Sequence, residues 1–518
     1  MAIVLIGFMG AGKSTAAVEL AAALGTEARD SDALLAERAG RAVAEQFEQM
    51  GEQAFRAAEE QLVLELLARA DRHEVIALGG GSVLSEAVRD ALAGDGHLTV
   101  LLDVDAETAW WRVAGEGGAD ERPLARDRDA FGALHAERQQ LYESCADAIL
   151  SDLPRDGVLG VMPALRALAR APKGTRLFWA RSASGDYPVL IGRGLLSGAM
   201  NEVWPIDRER SRSFCVTDTS VGGLYGGRLG ELAGTLEIEP GESQKTLAGA
   251  GRVWSALVAA GLTRADHLVA LGGGVVGDLT GFCAATYQRG IPVVQIPTTL
   301  VAQVDSAYGG KTGVDLPEAK NYVGVYHQPA GVLTDPDTLD SLPAAELAAG
   351  WVEVLKTGLI SGGPLWDAVS EGRDADERMI GECVRTKLAT VAADERDGSR
   401  RQVLNLGHTV GHGIEAATAY SRYRHGEAVG LGLLAALRLS GQDALRELVE
   451  RLLAERSLPV RMASEVDVDD VMHAIGSDKK RLGEKVPFVL VRAPGDVQPG
   501  FELAGEDVRA AVEELVER

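Results

Sequence analysis

The sequence predicts an α/β protein: two successive α/β units, the second running into a mainly helical segment. Three observations lead there. Residues 7–14 read Gly-Phe-Met-Gly-Ala-Gly-Lys-Ser, a phosphate-binding loop set between the apolar run 2–6 and the helix-forming stretch 15–24 that Gly25 closes. Short apolar runs then alternate with helical stretches to about residue 342, as in parallel sheets covered by helices. From Pro343 strand signals nearly vanish until residues 488–491, and amphipathic helical patterns take over.

In the first unit, residues 1–170, the runs 2–6, 75–78 and 98–102 read as buried strands. Residues 171–175, Ala-Pro-Lys-Gly-Thr, read as a short linker. In the second unit, 176–342, strands are expected at 189–191, 214–216, 268–271 and 293–296, and residues 343–518 form the helical part. A chain of 518 residues implies about three domains. No run reaches the ~18–20 apolar residues of a membrane span. The first apolar run has no basic lead and meets the phosphate loop at once, so no signal peptide is expected. Cys145, Cys215, Cys283 and Cys383 are widely spaced, which points to reduced thiols in a cytoplasm. A formal charge of −24 argues against a nucleic-acid partner. Lysines are scarce, ten against 42 arginines, and eight of the ten fall in the motifs below, where a compact ammonium is not replaceable by guanidinium.

The phosphate loop assigns the amides around Gly10, Ala11, Gly12 and Thr15 to nucleotide phosphates, Lys13 to their oxygens and the Ser14 hydroxyl to magnesium. Downstream stand Asp30-Ser31-Asp32, Gly51-Glu52-Gln53-Ala54-Phe55-Arg56, Gly79-Gly80-Gly81, Arg122-Pro123-Leu124 and Arg138-x3-Tyr142. With the loop, this set resembles shikimate kinase across the unit. The resemblance implies a P-loop kinase domain that moves the ATP γ-phosphate onto a ring hydroxyl of shikimate. Arg56 and Arg138 suit the substrate carboxylate as bidentate clamps. Gly80 and Gly81 let backbone approach the ring, and Asp32 takes the proton of the attacking hydroxyl. Asp30, on the same face of an extended segment, orients magnesium through water. Arg122 neutralises charge on the transferring phosphoryl, next to a Gly-rich lid at 114–120.

In the last third, residues 405–415 read Asn-Leu-Gly-His-Thr-Val-Gly-His-Gly-Ile-Glu, and His425-Gly426-Glu427 follows. His408 and His412, four apart, share a helical face, and spacing alone makes them a zinc pair with His425 nearby. Gly272-x-Gly274-x2-Gly277 follows a strand in the dinucleotide pattern, yet no acid stands about 20 residues later for the ribose.

Residues 176–518 resemble 3-dehydroquinate synthase along their length. The blocks are 187–190 (Tyr-Pro-Val-Leu), 240–245 (Pro-Gly-Glu-Ser-Gln-Lys), 272–278 (Gly-Gly-Gly-Val-Val-Gly-Asp), 297–300 (Pro-Thr-Thr-Leu) and 304–306 (Val-Asp-Ser). They continue through 309–314, Lys320-Asn321, Glu353-x2-Lys356, the histidine segments and 478–480 (Asp-Lys-Lys). The resemblance implies a Rossmann-like NAD-binding domain at 176–342 and a mainly α-helical metal- and substrate-binding domain at 343–518. It assigns zinc, or another divalent metal such as cobalt, to Glu353, His408 and His425, and leaves His412 to handle protons or touch substrate. Around NAD it places Asp218, Glu242, Lys245, Gly273, Gly274, Val275, Val276, Gly277, Asp278, Thr298, Thr299, Asp305, Lys311, Lys320 and Thr338. Lys356, Lys387, Arg401 and Asn405 are implied at substrate hydroxyls and carboxylate, and Lys311, Asn321, Arg289 and Lys479 or Lys480 at its phosphate. The arginine matching Arg289 reaches a neighbouring subunit in that family, which implies a homodimer. The implied reaction converts 3-deoxy-arabino-heptulosonate 7-phosphate to 3-dehydroquinate and phosphate, with NAD as catalytic hydride carrier and zinc as Lewis acid. Departures are Ser220 for a usual Asn, Ala319 for Gly, Asp397 for Glu and the Gly350-Trp351-Val352 approach to Glu353.

The expectation is therefore a bifunctional cytoplasmic enzyme of aromatic amino-acid (chorismate) biosynthesis, acting on small molecules. Two alternatives are a non-catalytic ATP-binding module in the N-terminal unit and a related sugar-phosphate cyclase in the C-terminal one. Asp32, Arg56 and Arg122 argue against the first, and Lys387, Arg401 and Asn405 against the second.

Overall fold

The computed structural model describes residues 1–70, 74–115, 127–151, 157–198, 200–317, 319–476 and 486–517. The chain forms two compact units, Met1–Ala180 with Pro188–Leu190, and Arg181–Tyr187 with Ile191–Arg518.

The first unit carries strands β1 (Ala2–Ile6), β2 (Ala28–Asp30), β3 (Val75–Ala77), β4 (His97–Asp103), β5 (Ala148–Ser151) and β6 (Arg176–Ala180). They run in the order β2-β3-β1-β4-β5-β6, every pair parallel. All five residues of β1 are buried, which suits a central strand covered on both faces. Helices α1 (Lys13–Leu24), α2 (Ser31–Ala39), α3 (Val43–Met50), α4 (Glu52–Arg69), α5 (Glu86–Leu92), α6 (Ala106–Gly115), α7 (Arg128–Cys145) and α8 (Met162–Leu168) complete it. The strand order reverses at β1, and the phosphate loop leaves β1 at that switch point, where open α/β sheets bind ligands. Residues 176–180, expected to open the second unit, pair with β5 through Ile149↔Phe178 and pack with the first. Asp32 also differs from expectation. It lies in the first turn of α2, because Asp30 ends β2 and caps that helix by accepting from Asp32 N and Ala33 N.

After β7 (Tyr187–Ile191), the second unit has β8 (Ser213–Asp218), β9 (Gly234–Ile238), β10 (His267–Gly272), β11 (Val293–Pro297) and β14 (Gly331–Thr334), a parallel array ordered β14-β11-β10-β8-β9. Helices α9 (Met200–Val203), α10 (Thr219–Tyr225), α11 (Leu247–Ala259) and α12 (Gly274–Thr286) belong to this part. Phe214, Val253, Leu268, Leu279 and Val293 share its core. The strand expected at 488–491 is β15 (Pro487–Ala493), and it pairs with β16 (Asp496–Glu502) in an antiparallel hairpin. Neither that pairing nor the antiparallel hairpin of β12 (Lys311–Leu316) with β13 (Ala319–Tyr326) was foreseen.

The helical part comprises α13 (Ala344–Ser361), α14 (Gly363–Ser370), α15 (Glu377–Ala393), α16 (His408–Ala417), α17 (His425–Leu439), α18 (Asp443–Glu455), α19 (Val468–Gly476) and α20 (Gly505–Glu513). Three glycines let α17 lie backbone-to-backbone on its neighbours. A Cβ on Gly426 would land on Ala349 O of α13, one on Gly432 on Gly407 O, and one on Gly411 within 3.1 Å of Ala428 O. That close packing brings α13, α16 and the start of α17 to one point. Among the described residues, no helix is long and apolar enough to cross a membrane.

Candidate active sites

In the first unit the phosphate loop has the conformation its glycines permit. Gly10 and Gly12 have φ of 80° and 86°, and a Cβ on Gly10 would lie 2.7 Å from Ala109 O. Lys13 Nζ donates to Gly7 O at 2.8 Å and Phe8 O at 3.1 Å, and Ser14 Oγ donates to Asp30 Oδ2 at 2.6 Å. The proposed magnesium pair therefore converges, and the Asp30 cap orients it.

Opposite the loop, a Cβ on Gly79 would strike the Asp32 carboxylate and one on Gly81 the Arg56 guanidinium. These glycines let side chains, as well as any ligand, press against the strand end. Arg56 Nη1 donates to Glu59 Oε2 at 2.6 Å, and Ser82 Oγ donates to Glu59 Oε1 at 3.0 Å. Glu59, buried one helical turn beyond Arg56, holds that guanidinium in place, and the sequence reading missed it. Arg138 is buried and donates to Gly80 O at 3.4 Å, beside a 2.5 Å bond from Tyr142 OH to the same carbonyl. Burial pushes the Tyr142 phenol up to about 12, so it stays a neutral donor. Arg122 and most of the lid at 114–120 lie outside the described residues.

The second unit holds a cleft of about 1570 Å³. Asp218, Glu242, Lys245, Gly273, Gly274, Val275, Val276, Asp278, Thr298, Thr299, Asp305, Lys311, Lys320 and Asn321 line it, with Glu353, Lys387, Arg401, Asn405, His408, His412 and His425. Gly277 lies against Gln295, and Thr338 is buried with its hydroxyl donating to Asp335 O, so neither lines the cleft. Arg289 lines a separate cavity with Asp186, His327 and Gln328. Lys479 and Lys480 lie outside the described residues.

On the glycine-turn side, the Asp218 carboxylate caps α10, accepting from Ser220 N and Val221 N at 2.9 Å. Because Ser220 contributes its backbone N–H here, the side-chain change leaves the cap intact. Lys245 is buried among anions, 2.7 Å from Glu242 and 3.3 Å from Asp278, and it donates to Asn321 Oδ1 at 2.7 Å. Burial alone would lower the Lys245 pKa, but Asp278, Glu242 and Asp315 raise it above its ordinary value. A Cβ on Gly273 would lie 2.9 Å from Thr299 Cγ2, so only glycine keeps this turn open at the helix N-terminus.

On the other side Asp305 projects from a π-helical turn, Ala302–Ser306, a geometry frequent at functional sites. Its carboxylate receives Lys356 Nζ at 2.9 Å and also Lys387 Nζ. Burial works against ionised Asp305, yet the two ammoniums hold its pKa well below the usual range. Lys356 is buried and also sits 2.5 Å from Glu353 Oε2. Arg401 is buried, with Nη1 donating to Glu395 O and Nη2 to Gly309 O at 2.5 and 3.0 Å. These bonds fix the guanidinium at the cleft wall. Arg401 and Asn405 lie in the 3-10 turn Arg400–Asn405, where residues three apart eclipse, so these two, four apart, do not stack on one face. Lys311 donates to Asp397 Oδ2 at 2.6 Å.

Glu353 of α13, His408 opening α16 and His425 opening α17 bring ligand atoms within 4.8 Å of one another. Glu353 Oε1 is buried without a hydrogen bond, 3.7 Å from His408 Nε2 and 3.5 Å from His425 Nε2. His408 Nδ1 lies 3.1 Å from Leu406 O, which leaves Nε2 as the ring's lone-pair nitrogen. Two imidazoles and one carboxylate are a donor set that fits a tetrahedral divalent metal with one open position. His412, the choice by spacing, has its ring 5.3 Å from that of His408 and 6.0 Å from that of His425. It forms a second possible group with Glu415 and His425.

A phosphate-loop kinase unit and a dinucleotide-type unit with a metal-ready Glu–His–His centre make this one chain with two nucleotide-dependent enzyme folds. The shikimate kinase family model matches residues 9–156, and the N-terminal and C-terminal models of 3-dehydroquinate synthase match 235–349 and 350–481. The chain is 42% identical over 337 residues to a 3-dehydroquinate synthase of Caulobacter vibrioides, covering 60% of this chain and 90% of the relative. It is 40% identical over 358 residues to that of Halorhodospira halophila, covering 66% and 100%. A 2-epi-5-epi-valiolone synthase from Streptomyces hygroscopicus, solved with NAD+ and Zn2+ bound, is 28% identical with a TM-score of 0.57, covering 64% of this chain and 96% of that one. A 2-deoxy-scyllo-inosose synthase, 23% identical with a TM-score of 0.58 and covering 66% and 100%, shares the fold. The chain belongs to the 3-dehydroquinate synthase family and carries a shikimate kinase domain ahead of it: its two activities are shikimate phosphorylation and 3-dehydroquinate formation.

Proposed function

We propose that each activity uses the residues gathered at its own cleft. In the kinase unit, Lys13 and the amides from Gly10 to Thr15 hold ATP phosphates, and Ser14 with Asp30 holds magnesium. Asp32 accepts the proton of the attacking hydroxyl, while Arg56 and Arg138, steadied by Glu59 and the Gly80 carbonyl, clamp the shikimate carboxylate. Arg122 answers the charge of the transferring phosphoryl.

In the synthase unit, Glu353, His408 and His425 hold zinc or a similar divalent ion, which supplies Lewis acidity when bound. The Gly272–Gly274 turn and Asp218 take NAD, with Glu242, Lys245 and Lys320 beside it. Lys356 holds a substrate hydroxyl from its place between Asp305 and Glu353. Lys387, with Arg401 and Asn405, receives the carboxylate, and Lys311, Asn321 and Lys479 or Lys480 receive the phosphate. His412 moves a proton at the ring. The protein is a homodimer in which Arg289 serves a neighbouring subunit, a reading supported by the family resemblance and by the place of Arg289 in a cavity apart from the cleft. The wide spacing of four free cysteines supports a cytoplasmic setting.

The observation that carries the synthase assignment is the meeting of the three ligand atoms within 4.8 Å around a buried carboxylate oxygen that has no hydrogen bond. Metal analysis of dialysed variants with two parallel assays tests it. Glu353→Ala, His408→Ala and His425→Ala each lose metal and phosphate release from the heptulosonate phosphate together, and His412→Ala loses rate but keeps about one metal per chain. Lys13→Ala loses shikimate phosphorylation and keeps the synthase rate within a few-fold. Metal retained in His425→Ala and lost in His412→Ala would restore the spacing-based pair.

A further inference from the structure

Glu415 is a buried carboxylate that none of these roles uses. Its side chain is 4% exposed, and Oε1 lies 3.4 Å from His425 Nδ1 and 3.5 Å from Lys320 Nζ. The other ring nitrogen of His425 faces Glu353 Oε1 at 3.5 Å. His425 therefore stands between two carboxylates, one on each nitrogen. A carboxylate taken out of water persists only where partners answer its charge, and the imidazole and the Lys320 ammonium are those partners. An imidazole whose Nδ1–H is held by a carboxylate keeps its lone pair on Nε2, in one orientation and with raised basicity.

The three ligand candidates also differ in how they are held. Glu353 is fixed by burial in α13 and by Lys356. The His408 ring is set from behind by Leu406 O. His425 opens α17 after a loop and is the most exposed of the three, its side chain at 34% against 11% and 1%. Behind its ring, among the described residues, the Glu415 carboxylate faces Nδ1.

We propose that Glu415 is a positioning residue for His425. It grips Nδ1 so that Nε2 points to the centre shared with Glu353 and His408, and Lys320 anchors its charge. The proposal rests on Glu353, His408 and His425 being the metal ligands. Its rival is the overlapping group of His412, Glu415 and His425, in which Glu415 would itself bind the ion.

The test uses the full chain, stripped of metal and titrated with Co2+, reading affinity by chelator competition and geometry by the visible absorption of the bound ion. Glu415→Gln, of the same shape, is expected to bind about tenfold more weakly, and Glu415→Ala about 100-fold more weakly. Both are expected to take one ion per chain at saturation, with a shifted spectrum. Unchanged affinity and spectrum in either variant overturns the proposal, so a poorly folding Glu415→Ala leaves Glu415→Gln to decide. Loss of all Co2+ binding in Glu415→Gln, with Glu353→Ala still binding one ion, also overturns it and makes Glu415 a ligand. Retention of tight Co2+ by both Glu353→Ala and His408→Ala instead overturns the ligand set on which the proposal rests.

Discussion

Asp305 receives two ammonium groups at once, and the pair does not share its charge evenly with the carboxylate. Lys356 also leans on Glu353, while Lys387 has Asp305 and faces the cleft. Burial pushes Lys387 down to about 8, and the charges of Lys356 and Arg401 add to that effect against the pull of Asp305. The sign for function follows directly. Below pH 8 Lys387 is a cation able to pair with a substrate carboxylate, and above it that pairing fades. The synthase KM is expected to rise above pH 8, approaching tenfold per unit, with little change in kcat. In Lys387→Met the KM should start high and lose this limb, which initial rates from pH 7 to 9.5 would settle. A Lys387→Met profile still rising above pH 8 would assign the limb to another group.

Helix packing decides whether the metal ligands meet. Alanine in place of a helical glycine ordinarily stabilises by about 1 kcal/mol, but in α17 the added methyl on Gly432 would land on Gly407 O. Overpacking of about 1–3 kcal/mol is expected to win, forcing α16 from α17 and moving His408 away from His425. Gly432→Ala should lower the unfolding midpoint and weaken metal binding together. A variant more stable than the parent would show that the contact relaxes freely. Elements of this kind were only partly legible beforehand. The phosphate loop and its flanking strand and helix could be read because one short segment carries both pattern and context. The β12–β13 hairpin could not: Gly313 and Gly324 lie face to face across it, and such glycines leave no apolar alternation to count. Asp30-Ser31-Asp32 read as extended because a capping acid and the helix it starts look alike in sequence. Glu59 and Glu415 were silent because single acids at helical spacing gain meaning only from what packs against them. Thr338 was assigned to the cofactor by family resemblance alone, and burial uses its hydroxyl elsewhere.

At the scale of the chain, strand β6 bears on where a cut is tolerated. Leu177, Phe178 and Ala180 are buried, and Arg176 donates to Glu143 O at 3.1 Å, all within the first unit. Losing two large apolar side chains removes about 3–5 kcal/mol of burial. A kinase fragment ending at residue 170 should therefore unfold at lower urea than one ending at residue 180, and equal midpoints would make β6 dispensable there. The scarcity of lysine has a further consequence, for covalent chemistry. Among the described lysines, Lys245 and Lys356 are shielded by burial, and exposed Lys173 is kept protonated by Asp95. Amine-selective acylating reagents need the neutral amine, and near pH 8 about half of Lys387 is in that form against under one per cent of an ordinary lysine. A small reagent able to enter the cleft would therefore favour Lys387 over lysines of ordinary basicity, and its labelling can be followed as loss of synthase rate.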